Sequence, residues 1–117
     1  MENVARSETW LWLAQRVSAM VLAVCVIVHI ATMIYAVQQG LSTAAISARI
    51  SGNLMWLGFY TTFVAAVSIH APIGVRTVLL EATELPQKRV GLLAMLFGLF
   101  ILVLGFRAIF GLYGMSL

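Results

Sequence analysis

The chain of 117 residues is 62% hydrophobic and only 9% charged, whereas soluble domains carry about a quarter charged residues. This composition excludes a water-soluble fold and indicates an integral membrane protein. The net charge of +3 comes from residues that flank apolar segments. It therefore predicts membrane orientation and does not indicate a nucleic-acid-binding surface.

Three apolar runs, each longer than the roughly 20 residues that cross a bilayer, account for most of the chain. They predict an all-α membrane protein with a single transmembrane domain over residues 1–117 and helices at about 10–37, 54–80 and 90–113. The segments between them are predicted to be a loop around Gln38 to Asn53 and a short turn around Glu81 to Arg89. No soluble catalytic domain fits in what remains, so no catalytic residues are expected.

The first apolar run is too long for a signal peptide and is not followed by a small-residue cleavage site, so we interpret it as a retained helix. Most positive residues fall on the side of the N-terminus: Arg6, Arg16, Arg76, Lys88 and Arg89. Arg49 and Arg107 fall on the opposite side. Because cytoplasmic segments carry the excess of Lys and Arg, the N-terminus is predicted to face the cytoplasm.

The single cysteine, Cys25, lies within the first apolar run. One thiol cannot form an internal disulfide, and an iron-sulfur cluster needs several thiolates. Any such cluster must therefore belong to a partner protein.

The two histidines, His29 and His70, both lie deep inside predicted membrane helices. An ionisable residue in hydrocarbon costs about 2.5 kcal/mol or more on insertion scales, so such residues mark candidate functional sites. His29 follows Arg16 by 13 residues, which is about 20 Å along a helix and past the midplane. His70 precedes Arg76 by six residues, about 9 Å, and lies near the cytoplasmic side. The two histidines are therefore predicted not to share one iron.

The surroundings of His70 favour a haem b ligand. Gly74 lies one turn beyond it on the same helix face, and Phe59 and Phe63 lie on its other side. A porphyrin ligated by a helical histidine needs missing side-chain bulk within one turn of the ligand. Arg76 is then well placed to pair with a haem propionate.

His29 is a candidate ligand for a second haem nearer the outer side. Ser18 and Cys25 share its helix face and add little bulk, and Arg107 approaches the outer boundary, where propionates need a cation. The third helix has no histidine, so each iron would need its other axial ligand from a second membrane subunit.

Simpler interpretations stay open for these residues. A membrane histidine can hydrogen-bond a neighbouring helix, an interaction worth about 1 kcal/mol. Arg76 and Arg107 can be interfacial residues that extend their side chains to water. Several aromatic residues are interpreted as an interfacial belt: Trp10, Trp12, Trp56 and Tyr113.

Two short motifs resemble those of the cytochrome b anchor subunit of succinate dehydrogenases. Residues 16–19, Arg-Val-Ser-Ala, are similar to the Arg-x-Ser-Gly signature at the cytoplasmic start of that family's first helix. His70, Gly74 and Arg76 match its His-x-x-x-Gly-x-Arg pattern on the second helix. Glu81 stands where the family has an acidic residue eleven positions after the histidine.

The resemblance covers about residues 12–81, and it implies that His70 ligates haem b. It also implies that Arg16 and Ser18, from the first signature, lie near a quinone site that faces an iron-sulfur subunit. Three positions depart from the family pattern: Trp12, Gln15 and Thr77 replace a serine and two histidines. His29 resembles the first-helix ligand of relatives that hold two haems.

The function implied is that of a membrane anchor of a succinate dehydrogenase or fumarate reductase complex, carrying electrons between the iron-sulfur subunit and membrane quinone. The expected cofactor is haem b, one or two per complex, shared with a partner. The expected partners are a second anchor subunit that completes the helical bundle, the iron-sulfur subunit, and a flavoprotein that performs the dicarboxylate chemistry. The expected location is a bacterial or archaeal cytoplasmic membrane.

Three alternatives are a diheme cytochrome b of another oxidoreductase, an anchor without haem, and a small multidrug-type transporter. The transporter class has four helices and an intramembrane carboxylate. Here all acids lie outside or at the edge of the apolar runs: Glu2, Glu8, Glu81 and Glu84. The sequence leaves open the kind of quinone and the direction of the reaction.

Overall fold

Three long helices and one short helix make up residues 2–113, the part of the chain that the computed structural model describes. The helices are α1 at Glu2–Gln38, α2 at Thr43–Ile50, α3 at Leu54–Ala82 and α4 at Gln87–Tyr113. By length and composition, α1, α3 and α4 can each cross a membrane. The prediction of an all-α membrane protein with three transmembrane helices is confirmed.

Helix α1 is longer than the apolar run that predicts it. It has 37 residues and begins at Glu2, not near residue 10. At 1.5 Å per residue it spans about 55 Å, which matches the longest dimension of the molecule, 54 Å. Since hydrocarbon is only about 30 Å thick, the polar turns of α1 extend the helix beyond the apolar run. Hydropathy marks where the helix is apolar, not where its backbone hydrogen bonding starts.

The prediction of a loop between Gln38 and Asn53 is wrong for the middle of this segment, because residues Thr43–Ile50 form α2. Gly40, with φ of 64°, ends α1 in the left-handed conformation that glycine adopts without strain. The side-chain oxygen of Ser42 then accepts a hydrogen bond from the backbone N–H of Ala45, which caps the start of α2. An eight-residue helix has too few turns to give a clear hydrophobic period.

Two serine side chains attach α2 to the end of α4 by hydrogen bonds. Ser47 Oγ donates to the carbonyl oxygen of Leu112 at 3.0 Å, and Ser51 Oγ donates to that of Tyr113 at 3.1 Å. The last carbonyls of a helix have no partner within the helix. The two hydroxyls therefore stabilise the end of α4 and fix the position of α2.

Helix α3 packs against both α1 and α4. A Cβ added at Gly98 of α4 would lie 2.8 Å from Pro72 Cγ, and one added at Gly105 would lie 2.5 Å from Val64 Cγ1. The missing side chains allow the two backbones to approach closely, as small residues do in membrane helix pairs.

The bundle has an N-terminal end and an α2 end. The N-terminal end carries the start of α1 and the short connection 83–86 between α3 and α4, and the α2 end carries α2 and the end of α4. The outer faces are strongly apolar, with Met20 64%, Ile27 68% and Phe100 59% exposed. Such faces need lipid or another membrane protein to cover them.

Candidate functional site

His29 lies at the interface of α1 and α3, where aromatic side chains surround it. Its ring meets Phe63 edge-on at 5.5 Å between centroids and Tyr60 edge-on at 6.0 Å. His29 Nδ1 is buried and has no hydrogen-bond partner among residues 2–113. The imidazole is therefore held by ring contacts, and its hydrogen-bonding capacity is not used by the described chain.

A cavity of about 330 Å³ opens beside His29, toward the α2 end. All four helices contribute to its walls, and its other large polar or aromatic side chains are Tyr35, Arg49, Trp56 and Tyr60. Arg49 comes from α2, and its Nη2 donates to Tyr35 Oη at 3.4 Å. The guanidinium carbon lies 5.3 Å from the centre of the Tyr35 ring, which is cation–π geometry. The cavity therefore combines apolar walls, an imidazole and a positive charge.

The structure does not bring Arg107 to His29. Arg107 is exposed on α4 and lines a separate, more open depression with Val103, Phe106 and Phe110. The sequence alone assigns Arg49 only a part in orientation and places Trp56 in an interfacial belt. Arg49 reaches this cavity on α2, which apolar periodicity does not reveal, and Trp56 reaches it through the packing of α3 on α1.

Ser18 and Cys25, the small residues on the face of His29, are each only 5% exposed. Since α1 packs mainly on α3, it is α3 that covers this face. Ser18 Oγ donates to the backbone carbonyl of Gln15 at 3.1 Å. The stripe of small residues therefore permits close packing of the two helices within this chain.

His70 lies on α3 nearer the N-terminal end. It follows Phe63, the residue that contacts His29, by seven positions, so the two imidazoles differ in height by about 10 Å. His70 Nδ1 is also buried without a hydrogen-bond partner among the described residues. Each histidine thus has a buried Nδ1 without a hydrogen-bond partner in the described part of the chain, and the two lie at separate levels.

Gln15 of α1 covers Gly74, one turn beyond His70. A Cβ added at Gly74 would lie 3.4 Å from Gln15 Nε2, an ordinary contact distance. Gln15 Oε1 is buried and has no partner in the described part of the chain. The space that glycine leaves is therefore bounded by a polar side chain of α1, and Gln15 becomes a residue of this site.

Arg76, six residues beyond His70, forms an ion pair across α1 and α3. Its Nη2 lies 2.8 Å from Glu8 Oε1. The side chain of Arg76 is 16% exposed and that of Glu8 is 50% exposed. Arg16, by contrast, is exposed on α1, with its guanidinium carbon 5.0 Å from the centre of the Trp12 ring. The two arginines therefore have different environments at the same end of the bundle.

At both histidines, the side chains are of the chemical types that suit a haem, an imidazole for the iron and a guanidinium for the propionates. Each imidazole has a buried nitrogen without a partner among residues 2–113, and a guanidinium lies toward the nearer end of the bundle in each case. No three side chains of the kind that would hold a bare metal ion come together within residues 2–113. A haem brings four of its own ligands to the iron, so one imidazole per axial position is sufficient.

A family model described as succinate dehydrogenase/fumarate reductase transmembrane subunit matches residues 3–106. This range contains both histidines, all of α2 and α3, and most of α1 and α4. No curated protein and no solved structure matches the chain.

Proposed function

The chain belongs to the family of succinate dehydrogenase/fumarate reductase transmembrane subunits, and on this basis we propose that it is the haem-b-binding anchor of such a complex. Members of this family work with other subunits, so the chain has partners. We place the dicarboxylate chemistry in a flavoprotein partner. We place the iron-sulfur clusters in another partner protein, because this chain has a single cysteine. Family membership argues against the multidrug-type transporter.

His70 is the proposed ligand of a haem b iron, and the observation that carries this proposal is its unpaired imidazole. A buried polar atom without a partner costs about 1–3 kcal/mol, so a membrane helix that keeps one needs a compensating ligand or neighbour. His70 has no such neighbour among the described residues. The bound haem would supply one-electron transfer, and the chain would fix the axial imidazole, exclude water and offer Arg76 to a propionate.

The N-terminal end of the bundle is proposed to face the cytoplasm, where the excess of positive residues lies. In that orientation Arg16 and Ser18 are near the surface that meets the iron-sulfur subunit, and quinone would bind there. Ser18 is buried where α1 packs on α3, so Arg16 is the side chain of this signature that is free to reach a ligand. A second protein ligand to the iron would come from a second anchor subunit.

His29 is the proposed ligand of a second haem. Its support is the unpaired Nδ1, the edge-on aromatic rings and the adjoining cavity. Its height differs from that of His70 by about 10 Å, which gives each imidazole its own level in the membrane. The competing interpretation is an imidazole that hydrogen-bonds a residue of a partner subunit.

Absorption spectra of the purified complex test these assignments. We expect His70→Ala to remove a reduced-minus-oxidised cytochrome b signal and His29→Ala to remove a second one. Haem quantified per complex should fall from two to one in each variant. An unchanged spectrum in His70→Ala would refute the anchor's haem assignment, and one haem in the unaltered complex, lost only in His70→Ala, would refute the second haem alone.

A further inference from the structure

Among residues 2–113, no acidic side chain pairs with Arg49. The four acids of the chain are Glu2, Glu8, Glu81 and Glu84, all at or near the N-terminal end. The one ion pair among residues 2–113 joins Glu8 to Arg76. Arg49 is bound instead to a neutral phenol, that of Tyr35. A guanidinium beside an apolar cavity is best compensated by an anionic oxygen, with which it makes strong charge-assisted hydrogen bonds.

The positions of Arg49 and Arg76 relative to the histidines are similar. Arg76 follows His70 by six residues on α3, and Tyr35, which holds Arg49, follows His29 by six residues on α1. Six residues correspond to about 9 Å along a helix. Helices α1 and α3 run in opposite directions. Arg49 therefore lies from His29 toward the α2 end of the bundle, and Arg76 lies from His70 toward the N-terminal end. Arg107 does not share this relation, because it lines a different depression.

From this geometry we propose that Arg49, positioned by Tyr35, binds the carboxylates of the haem at His29. The inference rests on the proposed second haem and replaces Arg107, which the sequence alone favours for this role. Arg49 would contact the propionate directly. Tyr35 is a positioning residue, since its hydroxyl accepts a hydrogen bond from the guanidinium and its ring lies beneath it.

Redox titration of the intact complex, followed by absorption, tests this proposal. The haem assigned to His29 is the one absent from the His29→Ala complex. Arg49→Gln removes a positive charge beside it, which favours the oxidised iron and lowers its midpoint potential. We expect about a tenfold change in the ratio of oxidised to reduced haem at a given potential, or about 59 mV for one electron. The His70 haem should keep its potential.

Three further variants complete the design. Tyr35→Phe should lower the same potential by less, because the guanidinium stays but loses its hydroxyl partner, and this variant serves if Arg49→Gln fails to assemble. Arg107→Gln tests the alternative that Arg107 binds the propionate, and it should leave the midpoint potential of the His29 haem unchanged. Arg6→Gln removes a charge at the N-terminal end and controls for net charge.

The outcomes separate the inference from the function on which it rests. Two haems with no shift in Arg49→Gln, or an equal shift in Arg107→Gln, would overturn the role of Arg49 and leave the second haem intact. A single haem in the unaltered complex would overturn both. Loss of a bound anionic phospholipid in Arg49→Gln, measured by mass spectrometry, with unchanged potentials would assign the guanidinium to a lipid and overturn the proposal.

Discussion

Glu8 and Arg76, 68 residues apart in the chain, form an ion pair of 2.8 Å between the first turns of α1 and the second half of α3. The pair is possible only because α1 begins at Glu2 and continues as a helix beyond its apolar run. Arg76 is therefore already paired within this chain. A propionate would have to share the guanidinium with Glu8 or displace it.

Replacement of Glu8 by Gln should raise the midpoint potential of the haem at His70. The loss of an anion near the iron disfavours its oxidised form, and the effect should be small, because Glu8 is half exposed and such pairs contribute about 0–1 kcal/mol. A redox titration of the intact complex measures the shift. Glu2→Gln, two turns earlier on the same helix, should produce none. A fall in potential, or equal shifts in both variants, would contradict a specific pair with Arg76.

The contact between Gly74 and Gln15 should accept a small added side chain at position 74 but not a large one. Ala adds a Cβ at 3.4 Å from Gln15 Nε2 and should be accepted with the cytochrome b spectrum unchanged. Leu must displace the side chain of Gln15 and should cost about 1–3 kcal/mol, as overpacking does. We expect it to lower both haem content and the melting temperature of the complex. Gly58→Leu on the same helix, where no other group of the described residues lies within 4 Å of an added Cβ, is the matched control.

The sequence predicts the membrane helices well, because apolar runs of this length have one stable solution in a bilayer. It predicts the residues on α3 that share a face with His70, since helical periodicity determines which side chains are neighbours along one helix. It does not predict the cavity beside His29. That cavity requires Arg49 on α2 to meet Tyr35 on α1, a contact between elements that no period within either segment encodes.

The sequence likewise does not predict where the helices begin and end. Hydropathy places the start of α1 near residue 10, yet backbone hydrogen bonding begins at Glu2 and makes the Glu8 contact possible. A loop is expected where α2 forms, because the capping role of Ser42 is decided by local geometry. The prediction that Arg107 serves the outer site uses only its depth, whereas the direction of its side chain depends on how α4 packs on α3.

Substitution of Gly105 by Ala should destabilise the packing of α3 on α4. The added Cβ would lie 2.5 Å from Val64 Cγ1, so the helices must separate, at a cost of about 1–3 kcal/mol. Thermal unfolding of the purified complex measures the loss. Gly91→Ala, with nothing within 4 Å, should be neutral or slightly stabilising, because Ala is the better helix former. Adding Val64→Ala to Gly105→Ala should recover part of the loss, and strict additivity would count against this contact.

The final prediction concerns the attachment of α2, which supplies Arg49 to the cavity beside His29. Ser47 and Ser51 bind the carbonyl oxygens of Leu112 and Tyr113, and a hydrogen bond contributes about 0.5–1.5 kcal/mol net. The double variant Ser47→Ala/Ser51→Ala should therefore weaken the docking of α2 by about 1–3 kcal/mol, a factor of roughly 5–150 in its opening equilibrium. Amide hydrogen exchange in residues 43–50 should accelerate by that factor, while exchange in α3 stays the same.

Thr62→Ala provides the control for this experiment, because the Thr62 hydroxyl bonds the carbonyl of Gly58 within its own helix. It should leave exchange in α2 unchanged. If Arg49 acts on the haem at His29, the double serine variant should also move the potential of that haem in the direction of Arg49→Gln, since a loosened α2 holds the guanidinium less firmly. Faster exchange without any change in potential would show that α2 is attached by these serines but that its position does not affect the iron.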